Sequence, residues 1–157
     1  MSASQWPVGL VLVALLVGCD ADRGGAQLRF ADGSSTQLEH WQGRWVLINY
    51  WAEWCAPCRE EIPELNRLHA ERNRTGTVVL GVNFDGLRGA RLEQLIQEMD
   101  VRFPVLVEDP APLWEQPRPA VLPSTLVIGP DGALRKVLQG PQTYETLSHA
   151  TAGITST

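Results

Sequence analysis

Trp45-Val46-Leu47-Ile48-Asn49-Tyr50-Trp51-Ala52-Glu53-Trp54-Cys55-Ala56-Pro57-Cys58 is the stretch that decides the fold of this 157-residue chain. Its first half is a strand-length run of β-branched and aromatic residues, and helical apolar spacing follows at Ile62, Leu65 and Leu68. The two cysteines therefore fall where a strand turns into a helix. There the free N–H groups and the positive end of the helix dipole favour an anion, which lowers the pKa of Cys55 and makes it the expected nucleophile. Two residues between the cysteines on a first helical turn put both sulfurs within bridging range. The pair can pass between dithiol and disulfide.

Outward from this stretch, Leu28–Phe30, a turn at Asp32-Gly33 and Thr36–Leu38 read as a small hairpin, with a helical turn over Leu38–Gln42. Trp45–Tyr50 is the central strand, and the helix after it is expected over 56–73, bent at Pro63. Thr77–Phe84 is almost wholly apolar, as a parallel strand covered on both faces should be. A helix over Gly89–Met99, a strand over Phe103–Val107 and a proline-rich loop over Asp109–Pro119 follow. Thr125–Ile128 and Ala133–Leu138 form a second hairpin through Pro130-Asp131-Gly132, and Tyr144–Ala150 closes the chain as a helix.

Length and composition fit one globular domain, with 44% hydrophobic and 20% charged residues. A net charge of -5 without any cluster of Lys and Arg argues against nucleic-acid binding. Residues 1–18 carry no charged side chain, and the unbroken apolar run Val8–Val17 is too short to span a bilayer as a helix. It reads as a signal-peptide core. The segment 19–25 is small and charged, suiting a linker, and 26–157 is left for the folded domain. A metal site has little support, since His40, His69 and His149 stand apart and no second CxxC occurs. A disulfide spanning two residues constrains the unfolded chain little, so exchange chemistry explains the pair better than structural stapling.

At Asn49–Pro63, and again at Leu122-Pro123-Ser124-Thr125-Leu126-Val127-Ile128 with Asp131-Gly132, the chain resembles the thioredoxin superfamily. Within it, the resemblance is to the membrane-anchored TlpA/ResA-like thiol-disulfide oxidoreductases. It implies an α/β thioredoxin-like fold with a central mixed β-sheet flanked by helices, here with an N-terminal β-hairpin extension. Cys55, Cys58 and Glu61 would be catalytic, with Glu61 exchanging the proton of Cys58 from the same helical face. Trp54, Ala56, Pro57 and Asn49 would support the site, Asn49 standing where many thioredoxins place a buried acid. Pro123 matches the family's cis-proline, and the backbone of Leu122 would pair with an extended partner segment. No cofactor beyond the Cys55–Cys58 disulfide is implied.

Leu16-Val17-Gly18-Cys19 resembles a bacterial lipobox, which would make Cys19 the lipidated residue and tether the domain on the periplasmic side of the inner membrane. No Lys or Arg precedes the apolar run, a departure from that pattern. Partners implied are proteins carrying a disulfide or dithiol, with apocytochrome c and copper-centre proteins as candidates, and a membrane electron donor. Two other readings compete. A copper-chaperone or metal-binding lipoprotein of this fold would need a CxxxC pair and a downstream histidine near the cis-proline loop, both missing, and a scaffold lipoprotein would need no chemistry from the cysteines.

Overall fold

The computed structural model describes residues 25–152. The expected signal peptide, lipobox, Cys19 and most of the linker lie outside them. Among the described residues, no helix is long and apolar enough to cross a membrane.

Among the described residues, seven strands and four helices alternate with short 3-10 turns. β1 (Gln27–Arg29) and β2 (Ser35–Gln37) form the N-terminal hairpin, and a 3-10 turn at Leu38–Trp41 leads into β3 (Trp45–Trp51). Then come α1 (Ala56–Ala70), α2 (Arg72–Thr75), β4 (Thr77–Asn83), α3 (Gly89–Glu98) and β5 (Val105–Leu106). A second 3-10 turn at Ala111–Trp114 precedes β6 (Ser124–Ile128), β7 (Leu134–Gln139) and α4 (Tyr144–Thr151). The main sheet runs β5-β4-β3-β6-β7, with β3, β4 and β5 parallel and β6 and β7 antiparallel to their neighbours. This is the expected mixed sheet of a thioredoxin-like fold.

Strand alternation divides the core in two. Leu47 and Trp51 of β3 meet Ile62, Leu65 and Leu68 of α1, Leu92 and Leu95 of α3, and Leu147 of α4. Val46, Ile48 and Tyr50 point the other way, into a layer built by Leu28 of the hairpin, Trp41 and Ala111. The hairpin also closes an edge of the sheet. Phe30 bridges Leu106 antiparallel, with Ala31 N–H on the Val105 carbonyl at 2.8 Å and Val107 N–H on the Arg29 carbonyl at 2.9 Å.

Three expectations are corrected. The helix over 56–73 stops at Ala70, breaks at Glu71 and resumes for four residues, ending at Gly76 in the left-handed region. The strand over 103–107 is only Val105–Leu106, because Phe103 turns its ring into the core over Gly81. The proline-rich loop contains the 3-10 turn at Ala111–Trp114, pinned where Trp114 Nε1–H donates to the Gly132 carbonyl at 2.8 Å. Pro63 sits inside α1, which continues through it.

Candidate active site

Cys55 is the N-cap of α1, in extended conformation, and Pro57 lies in the first turn, where its missing N–H costs nothing. The Cys58 N–H donates to the Cys55 sulfur at 3.3 Å. A thiolate on Cys55 is thus met by a helix N–H and the positive end of the α1 dipole. The two cysteines are joined as a disulfide, with Cα atoms 5.3 Å apart. Both cysteines are buried, Cys58 at 1% exposure and Cys55 at 4%.

One turn along α1 from Cys58, Glu61 joins a buried polar network. Asn49, on the α1-facing side of β3, donates from Nδ2 to Glu61 Oε2 and to Thr125 Oγ1, both at 2.9 Å. The Gln142 N–H donates to Glu61 Oε1 at 3.2 Å. Glu61 and Asn49 are each only 1% exposed. Burial pushes the Glu61 carboxyl up to about 7, against the opposing pull of the Asn49 and Gln142 N–H bonds. Glu60, one residue earlier, is exposed. No signal in the sequence pointed to Gln142, which is 81 residues from Glu61. Thr125 was within reach, since it follows Pro123 by two positions in a motif block already singled out.

The Leu122–Pro123 peptide bond is cis, as expected. Leu122 packs against both core layers, including the one that holds the cysteines. Its backbone N–H and carbonyl make no hydrogen bond among the described residues. Trp54 stands out at 65% exposure, its Nε1–H donating to the Asp85 carboxylate at 3.1 Å, its ring edge-on to Phe84. Ala56 is exposed in the first turn of α1, while Trp51 is wholly buried. His40 is exposed, and His69 is half-buried with an Nδ1 that has no partner among the described residues.

Fold and site together define a thioredoxin-like protein that carries a CxxC disulfide at a helix start. The AhpC/TSA family model matches residues 25–137, and the chain belongs to that family. Within it the chain is TlpA/ResA-like. It is 33% identical over 116 residues to the thiol-disulfide oxidoreductase ResA of Oceanobacillus iheyensis, a match covering 74% of this chain and 60% of that one. To ResA of Bacillus thuringiensis it is 27% identical over 124 residues, covering 79% and 71%. The chain thus spans about 60% of the length of the Oceanobacillus relative. Among solved structures, StoA from Bacillus subtilis superposes with a TM-score of 0.65 at 20% identity, covering 80% of this chain and 95% of that one. The exposed lipoprotein thioredoxin of Streptococcus pneumoniae does so at 0.67 and 25%, covering 80% and 96%.

Proposed function

We propose that this protein is an exported, membrane-tethered oxidoreductase that exchanges its Cys55–Cys58 disulfide with cysteines of partner proteins. The observation that carries the reading is the disulfide on the first turn of α1, with the Cys55 sulfur met by a helix N–H. In the reducing direction the Cys55 thiolate attacks a partner disulfide, one partner sulfur leaves as thiolate, and a mixed disulfide forms. Cys58 then gives its proton to Glu61 and attacks the Cys55 sulfur. The second partner thiol is released and the Cys55–Cys58 disulfide closes. Glu61, near neutrality and three residues after Cys58 on α1, suits that proton transfer. The open backbone of Leu122 suits pairing with an extended partner segment. No cofactor beyond the disulfide takes part.

The apolar run at Val8–Val17 and the lipobox-like Leu16-Val17-Gly18-Cys19 support export and lipidation of Cys19. Exported compartments are oxidising, so a reductant there draws electrons through a membrane donor. Partners of this kind include apocytochrome c and copper-centre proteins.

Reduction of insulin disulfides by the purified domain, supplied with a dithiol, tests the reading. Turnover should exceed that of free dithiol at least tenfold and vanish in Cys55→Ser. In the native host, Cys58→Ser should hold a partner by a reducible bond. A domain no faster than free dithiol, with nothing trapped by Cys58→Ser, overturns the reading.

A further inference from the structure

The segment that leads into the cis-proline carries a cation, Arg118, with no ion-pair partner among the described residues. Pro117 and Pro119 fix the backbone on either side of Arg118, and the segment is held at one end by Trp114 on Gly132 and at the other by Pro123, whose carbonyl accepts the Gly140 N–H at 2.9 Å. The Arg118 guanidinium lies 4.1 Å from the Phe84 ring centroid, and Phe84 is in turn packed edge-on by Trp54, the neighbour of Cys55. Every other described arginine reaches a carboxylate or a carbonyl oxygen. Among the described residues Arg118 makes no hydrogen bond or ion pair with any carboxylate or carbonyl oxygen, and its guanidinium lies over the Phe84 ring. A stacked guanidinium keeps its N–H fork free in the plane, the geometry that takes a carboxylate with two parallel bonds. Trp54, which packs against Phe84, is 65% exposed, and Val121, three residues after Arg118, is 48% exposed.

We propose that Arg118 sets partner specificity by binding the side-chain carboxylate of an aspartate or glutamate near the reacting cysteine of an extended partner segment. The inference rests on the oxidoreductase reading and adds to it the chemistry of the preferred segment. The aromatic ledge carries the cysteine's apolar neighbours, and Arg118 takes the acid. Two acids face this region: Asp85, whose carboxylate accepts the Trp54 N–H, and Asp109, whose carboxylate accepts the hydroxyl of Tyr50, a side chain that feels the Arg118 charge; neither is within ion-pair distance of Arg118.

The test uses the reduced protein and three peptides, alike except for Glu, Gln or Lys two residues from a single cysteine that is disulfide-bonded to a chromogenic aryl thiol. The Cys55–Cys58 dithiol supplies both electrons. Cys55 breaks the S–S bond, and closure of Cys55–Cys58 leaves peptide thiol and coloured thiolate. The Glu peptide should exceed the Gln peptide in kcat/KM about fivefold, as a half-exposed charge pair allows, with Lys slowest and the ratio shrinking in salt. Arg118→Gln should collapse the Glu-to-Gln ratio to near one, Arg118→Glu should reverse it, and Asp85→Asn should widen it. Arg135→Gln, an equal change in net charge on β7, should leave it standing. A wild-type ratio near one, or a ratio that survives Arg118→Gln, overturns the proposal. Failure to reduce even the Gln peptide would instead fell the oxidoreductase reading.

Discussion

Glu61 is a carboxyl with almost no access to water, held by two N–H donors and still pushed up to about 7 by its burial. In the unfolded chain it titrates near 4.5, so between these values the folded state binds a proton that the unfolded state has released. Its stabilising contribution is therefore complete below about pH 4.5 and is lost as pH rises through about 7. Glu61→Gln removes that dependence. Urea unfolding at pH 5 and pH 8 should show wild type losing up to about 3 kcal/mol relative to the variant over that interval. A pH-independent difference would mean that the carboxyl stays charged in the fold. The same titration belongs to the chemistry: resolution of the mixed disulfide should rise with pH through about 7 in wild type and lose that inflection in Glu61→Gln.

At the scale of elements, side-chain bonds between backbone groups settle where helices begin and how they are tied. α4 starts at a reciprocal cap: Thr143 Oγ1 accepts the Thr146 N–H at 3.3 Å and Thr146 Oγ1 accepts the Thr143 N–H at 2.9 Å. Thr143→Ala should cost about 1 kcal/mol in chemical denaturation with the m-value unchanged. Asn66 ties α1 to the segment before β5, donating to the Asp100 carbonyl at 2.7 Å and accepting the Arg102 N–H at 2.8 Å. That bridge braces α1, the helix that carries Cys58 and Glu61.

At the scale of the molecule, Gly81 shows how closely the layers meet. A Cβ added there would lie 2.9 Å from both Phe103 Cε2 and Trp51 Nε1, so two large rings occupy the space over this one position of β4. Gly81→Ala should destabilise by about 1–3 kcal/mol from overpacking, and Phe103→Leu should recover part of it, both read by denaturant midpoint. Most elements were legible in the sequence, because each announces itself through local periodicity or a local turn. The brevity of β5, the break in α1 at Glu71 and the 3-10 turn at Ala111–Trp114 were not, being decided by what packs on them. The site divides the same way. Cys55, Cys58, Glu61 and Pro123 could be read from two motif blocks, whereas Gln142, the Asn49–Thr125 bond and the stack of Arg118 on Phe84 join residues far apart in the chain.

The sequence by itself determined the order of strands and helices, the position of the cysteines at a helix start and the presence of a carboxyl one turn later. Spacing and residue type encode such features within a few residues. Only the tertiary structure decided that this carboxyl is sealed from water, that both cysteines are buried, and that a proline-flanked arginine lies over Phe84. Burial and long-range contact depend on which surfaces the folded chain brings together, and no local stretch carries that information.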